Sequence, residues 1–528
     1  MNSAYLQTNL VSDIAGLATV TDPELKNPWG ISFSATSPFW ISNQGTGTST
    51  LYAVTGPTGT TVAKTVINPP IGYVAIPTTA SGPQGPTGQV SNTNASSFLV
   101  GNGGNGAFAH FIFANLNGTI SAWDTGLTAF IQVTSPVAGE HYTGLAINQA
   151  QTQLYAANDV GTGSIDVFNS SWAPVAPGTG GLAAGAFATP GAIAALGLVP
   201  FNVQDISGSV YVEYAPAGAN AARAGAALGQ GAVAVFTESG TLEQTIVGGN
   251  LASPWGIALA PAGWGQFGGD LLVDNFSYIN SEINAFNRVT GAYVGTIPIN
   301  NGSGNTPGGL WALDFGIGGN NGSPNTLYFT DGINGEADGL FAAITVVPEP
   351  AGMILRDGSN GDCEMYSCNN NAFTTAVALG QIGLEWQAAG FGDFSGKLAE
   401  SDMLLRNSNT GAFEVYDISN NAITSAASMG QVGLEWTVAG FGDFSGNANE
   451  TDMLMRNSNT GAFEVYDIGN NAIASAASMG QVGLEWQVAG FGDFSGNSGE
   501  SDMLMRNSTT GAFEVYDISN NKLTSAAS

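Results

Sequence analysis

The chain has 528 residues, too many for one ordinary domain, so two or three are expected. Apolar residues make up 43%, enough for real cores, and Gly reaches 75, but only 9% of residues are charged. The 40 acidic side chains outnumber 10 basic ones for a net charge of −30. That balance excludes binding to nucleic acid or to an anionic membrane surface, which needs clustered Lys and Arg.

The first residues, MNSAYLQTNLVSDIAG, hold no basic segment followed by an apolar one, so no signal peptide is read there. No apolar run reaches the roughly 18 residues of a membrane-spanning helix, and membrane insertion is not expected. From there to residue 347, short β-type runs are broken by Gly, Asn and Pro clusters, with almost no helical period. One helix-compatible stretch, GGLAAGAFATPGAIAALG, is Gly-rich enough to be a loop equally well. NPWGISF (27–33) is echoed by YTGLAIN (142–148), SPWGIAL (253–259) and GGLWALDF (308–315). Each echo precedes a strand ending in Asn or Asp and usually a third run ending in Phe, the grammar of a propeller blade. Six such units are predicted, starting near residues 27, 108, 142, 201, 254 and 308. The opening run AYLQTNLVS is then free to complete the last blade and close the ring.

This order, carried by HFIFANLNGTISAWD, LYAANDVGTGSIDVFN, FGGDLLVDNF and LYFTDGINGEADGLFAAI, resembles an uncharacterised family over residues 4–346. Its members are secreted bacterial NHL-like six-bladed propellers, many ending in a PEP-CTERM sorting signal. The resemblance implies an extracellular or cell-surface location. VVPEPAG (346–352) is similar to the start of that signal, but no apolar helix and basic tail follow Pro350.

Beyond it, Asp402, Asp452 and Asp502 mark a repeat of 50 residues, each with four strand-like runs such as WTVAGFGDF, DMLMRNS, GAFEVYDI and AITSAASMG. Three sets are complete, and an earlier one around GMILRDGSNGDCEMYSC lacks its first strand. The units resemble FG-GAP or VCBS-like repeats of bacterial surface proteins. The sequence thus predicts an all-β chain: a six-bladed propeller (1–347), a short Pro-containing linker (348–351) and a repeat module (352–528). That module would be either a small four-bladed propeller or an open array. The missing strand leaves an edge that invites strand addition, with the N-terminal run or 340–352 as candidate donor. Alternatively, 340–347 folds back to supply that strand. Cys363 and Cys368 would lie about 17 Å apart on a straight strand, at roughly 3.3 Å per residue, so a bridge requires a loop there.

Each repeat carries a loop of alternating oxygen donors, the pattern a calcium ion needs for its 6–8 ligands. Asp443, Asn447 and Asp452 form one candidate metal set and Asp493, Asn497 and Asp502 the other, with Ser445, Ser495 and Glu500 as helpers. In the first copy Lys397 stands where a ligand is needed. The competing reading is that these aspartates cap backbone N–H groups in turns.

Catalytic motifs of the G-x-S-x-G, H-E-x-x-H and phosphate-loop types are absent. His110, in FAHFIFAN, is expected to be packed, whereas His141 beside Glu140 could form an acid–base pair at the channel mouth. Trp386, Trp436 and Trp486 recur with the repeat, as core residues or as sugar-stacking platforms. The leading expectation is a structural or adhesive extracellular protein, acting through protein partners, self-assembly at an open β-edge, or glycans. The alternative is a secreted lactonase-type hydrolase with a channel metal, for which Asn158, Asp159, Asp274, Asn275 and Asp331 would be the ligands. Fold alone does not separate them.

Overall fold

A computed structural model describes residues 4–67, 71–77, 84–134, 141–218, 220–347, 352–369, 372–392, 394–395, 402–419, 422–442, 444–445, 451–492, 494 and 501–527. The chain is all-β and divides into two compact units, Tyr5–Val347 and Pro348–Ser528.

Six sheets are described in the first unit, antiparallel apart from one short parallel pairing of Ala4–Ser12 with Val20–Thr21. Their innermost strands are Pro28–Ser32, Pro86–Ser91, Tyr142–Ile147, Leu198–Ile206, Pro254–Leu259 and Leu310–Phe315. Each contacts the next, and the last contacts the first, so the sheets stand in a propeller-like ring around a central channel. Backbone must approach backbone closely at these junctions, and inner-strand glycines allow it. A methyl group on Gly30 would lie 2.6 Å from the Thr87 carbonyl oxygen, and one on Gly88 would meet the Leu145 nitrogen. Inner strands are buried almost throughout, whereas outer strands such as Leu242–Val247 and Tyr293–Pro298 are largely exposed.

The second sheet departs from the sequence expectation. Its inner strand is PTGQVS at 86–91, not the apolar run near residue 108, which forms the second strand Phe111–Asn115. Gln89 occupies a buried position because its side-chain amide donates to the Gly30 carbonyl at 2.9 Å, so the pattern that marks other inner strands is missing. The Gly-rich stretch after residue 178 is mostly loop, with one helical turn at Gly191–Ala194. It seats Leu182, Phe187 and Ile193 over the third and fourth sheets.

The ring is closed by its first strand. Ala4–Ser12 pairs with Leu340–Val347 in the sheet that also holds Thr326–Asp331 and Leu310–Phe315. Leu10 and Val11 are fully buried there. Ser12 Oγ donates to the Gly339 carbonyl at 2.7 Å, and Gly339 N donates to Asp13 Oδ1 at 2.8 Å. Lys26 Nζ meets Asp13 Oδ2 at 2.5 Å. Both proposed strand donors are thereby corrected: 5–12 and 340–347 are partners in one sheet, so neither is free to complete the repeat module.

The second unit is a series of one three-stranded sheet, Gly352–Arg356, Asp362–Asn369 and Ala372–Gln381, followed by three four-stranded sheets. Contacts run from each sheet to the next through mixed apolar layers. Trp386, Trp436 and Trp486 are half-buried against these layers. Cys363 and Cys368 lie on the single strand Asp362–Asn369, and Cys363 is a buried free thiol. Among the described residues no helix is long and apolar enough to cross a membrane.

Candidate functional site

Three tryptophans from inner strands meet across the channel of the first unit. Trp29 stacks on Trp311 with ring centroids 3.5 Å apart, and Trp255 stands edge-on to both at 6.1 and 5.6 Å. Beyond this layer, toward the later residues of the inner strands, a cavity of about 280 Å³ is lined by all six sheets. At the opposite end of the strands a second cavity of about 330 Å³ opens among loops. Its wall includes Trp29, His141, Asp159, Asn220, Arg223 and Glu336.

The loop side chains are held by one another. Arg223 follows Asn220 in a short helical turn, stacks its guanidinium 4.6 Å over Phe201 and donates from Nε to the Pro216 carbonyl. Its Nη1 lies 2.6 Å from Asp159 Oδ2, and His141 Nδ1 is 3.3 Å from Asp159 Oδ1. Burial alone would raise the Asp159 carboxyl, but the His141 contact and the Arg223 charge outweigh it and hold it below the usual carboxylate range. Opposite, Glu336 accepts hydrogen bonds from Asn27, Asn220 and Tyr278 at 3.2, 2.7 and 2.9 Å. Burial raises its pKa against those three bonds. Asn27 and Glu336 both have left-handed backbones, φ 43° and 67°. That conformation is costly for Glu, and such strain collects at sites that project a side chain.

Two donors in this cavity remain unused. Trp311 Nε1 donates to Asn27 Oδ1 and Trp255 Nε1 to the Thr143 carbonyl, each at 3.0 Å, but the buried Trp29 Nε1 has no partner. Nor has Arg223 Nη2, although Arg223 is almost wholly buried. Buried N–H groups are nearly always paired, so two orphans lining one cavity mark a place for acceptor oxygens.

No protein-family model matches the chain. It is similar to two uncharacterised proteins of Acanthamoeba polyphaga mimivirus. One is 29% identical over 63% of this chain and 78% of the viral protein, the other 28% over 54% and 72%. Among solved structures, the Kuenenia stuttgartiensis hydrazine synthase aligns with 69% of this chain and 98% of its own, at 14% identity and a TM-score of 0.36. A streptogramin B lyase aligns with 66% and 99%, at 11% identity and 0.37. Resemblance that low transfers neither a site nor an activity.

The residues considered for a channel metal are not gathered into one set. Asn158 donates to Asp166 Oδ2, and Asn275 is spent on the 250–252 loop. Asp159 belongs to the Arg223 pair. Asp274 Oδ1 accepts the backbone N–H groups of Trp255 and Gly256, and Asp331 Oδ2 accepts from Asn301. Glu140 lies outside the described residues. His110 is half-buried, edge-on to Phe108.

In the repeats, Asp443, Asn447, Asp493 and Asn497, with Lys397, lie outside the described residues. Asp452 and Asp502 are described and buried. Asp452 Oδ2 accepts the N–H groups of Phe444 and Ser445 at 2.9 and 2.8 Å, and Asp502 Oδ2 accepts that of Phe494 at 2.9 Å. Asp402 does the same in the first copy. Each carboxylate ties its loop to the start of the next strand. Asp452→Ala should therefore destabilise the repeats by about 1.5–3 kcal/mol for each bond lost to a charged group, read as a lower urea midpoint of the full chain.

Arg223, Asn220, Glu336 and Trp29 escaped the sequence reading. Arg223 sits in the bland stretch NAARAGAALG. The available signal was rarity: with only 10 basic residues in the chain, an Arg inside an apolar segment needs a reason.

Proposed function

We propose that the protein is an extracellular binding and adhesion protein whose ring holds a neutral, hydroxyl-rich ligand, a glycan unit, in the cavity among Trp29, Arg223 and Glu336. The observation that carries this reading is the pair of unpartnered buried donors, Trp29 Nε1 and Arg223 Nη2, at one cavity. Sugar hydroxyls accept from such donors and donate to carboxylates like Glu336. The volume is at the lower end of small-molecule sites, roughly 300–1,000 Å³. A free anion is a poorer fit, because Asp159 already neutralises Arg223 and the chain carries −30.

Calorimetric titration of the full chain with a panel of neutral mono- and disaccharides and their uronate counterparts tests the reading. Trp29→Phe keeps the ring and removes only the indole N–H. It should weaken the best sugar about 10-fold, the equivalent of one hydrogen bond of about 1.4 kcal/mol, without changing the melting temperature much. Absence of binding by every sugar, or equal binding by wild type, Trp29→Phe and Arg223→Met, would sink it.

A further inference from the structure

The cavity among the loops of the ring has a floor. Of the three channel tryptophans only Trp29 lines it, and the aromatic layer continues behind Trp29 across the channel. Trp311 stacks on Trp29 at 3.5 Å, Phe276 lies 4.5 Å from Trp311, and Phe201 stands edge-on to Trp29 at 6.5 Å. With Trp255, these rings are at most 4% exposed, so the layer is packed shut. No described residue lines both this cavity and the one at the far end of the channel. A ligand that enters from the loops therefore stops at Trp29.

Its wall is held by side chains that grip one another from loop to loop. Asn27 Nδ2 donates to Gln44 Oε1 at 2.9 Å, and Gln44 Nε2 donates to the Gln84 carbonyl at 2.6 Å, which joins the first sheet to the second. Glu336 of the sixth sheet ties Asn27 to Asn220 of the fourth. Arg223 then reaches Asp159 of the third. A cleft open on both sides needs two unbridged junctions between loops, and the described contacts leave at most one, between the second and third sheets. The cavity is a well with one mouth.

Resting on the glycan reading of this cavity, we propose that it takes the end of a glycan chain. One terminal sugar unit enters tip first, one hydroxyl oxygen accepting from Trp29 Nε1 on the floor and another from Arg223 Nη2 in the wall. The rest of the chain stays outside, beyond the loops. A chain held by an interior unit must enter on one side of that unit and leave on the other, which a floored and walled well forbids. An interior unit has also spent on its next linkage a hydroxyl that a terminal unit keeps free, and the buried floor donor needs a free oxygen brought down to it. The volume of about 330 Å³ agrees, near the bottom of the roughly 300–1,000 Å³ range of small-molecule sites. The ring reads chain ends, not chain length.

Calorimetric titration of the full chain with linear hexasaccharides of glucose, galactose, mannose and N-acetylglucosamine tests this. Each is used free and capped at both ends, by a benzylidene acetal on the non-reducing unit and a benzyl glycoside on the reducing one, which leaves the interior units untouched. At least one free hexasaccharide should bind, and its capped form should not. Trp29→Phe should weaken the free form about 10-fold, the weight of one hydrogen bond, and Arg223→Met should weaken it as a second, independent variant. A capped form that binds as tightly as the free one would overturn end-on entry while leaving the glycan reading in place. So would disaccharides that bind where no hexasaccharide does, since the site would then be closed to chains. Binding that neither variant weakens is held elsewhere on the protein and overturns the proposal together with the glycan reading of this cavity. The absence of binding by every sugar would end both.

Discussion

Removing residues 1–12 from the full chain should lower the melting temperature of the ring sharply while leaving the transition of the repeats in place. The strand Ala4–Ser12 supplies the only described neighbour of Leu340–Val347 on that side, so its loss bares a long edge of Leu, Phe, Ala and Ile backbone. It also withdraws Leu10 and Val11 from the core, each worth about 1.5–3 kcal/mol on burial. For a unit of this size such a loss shifts melting on the order of 10 °C. Differential scanning calorimetry reads it directly, and an unshifted first transition would mean that the ring closes without this strand.

The second large effect is on pH. Glu213, Asp274 and Asp331 lie in the second strands of three successive sheets and are fully buried. Burial pushes the Asp331 carboxyl up to about 8, against the Asn301 hydrogen bond. Burial likewise lifts Glu213 and Asp274 well above the usual range, with Asp331 repelling Asp274 and Asp274 repelling Glu213. An acid whose folded pKa is raised holds its proton in the folded state and loses it in the unfolded one. Stability is then full below about pH 4 and falls as pH rises toward 8. For Asp331 alone the loss by neutral pH is at most about 4 kcal/mol. Asp331→Asn keeps an acceptor oxygen for Asn301 and removes the titration. The variant should melt higher than wild type at pH 8 and no higher at pH 4. Comparing the two proteins cancels the general repulsion of a chain with −30 of net charge. Equal melting temperatures at both pH values would show that Asp331 ionises in the folded ring at no cost.

The ring was legible where burial is apolar and repeated. NPWGISF and SPWGIAL mark inner strands because tryptophan and a following glycine serve the aromatic layer and the tight junction together. PTGQVS was not legible, since Gln89 fills a core position by hydrogen bonding, and hydrophobic periodicity is blind to a polar group whose partners come from another sheet. The 50-residue repeat announced its strands and its missing strand from the sequence. The cavity did not, because its residues come from loops of five different sheets and its decisive property is an absence, two N–H groups without acceptors. Nothing local to Arg223 or Trp29 encodes that.

Closure by the first strand also sets a schedule for synthesis. Ser12 meets Gly339, which is 327 residues later in the chain. At ribosomal rates of about 5–20 residues per second, the strand made first waits roughly 16 to 65 s for its partner to emerge. During that interval AYLQTNLVS is an unpaired β-segment on a nascent chain, exposed to other nascent chains and to chaperones alike. Slower elongation late in the ring would lengthen that wait.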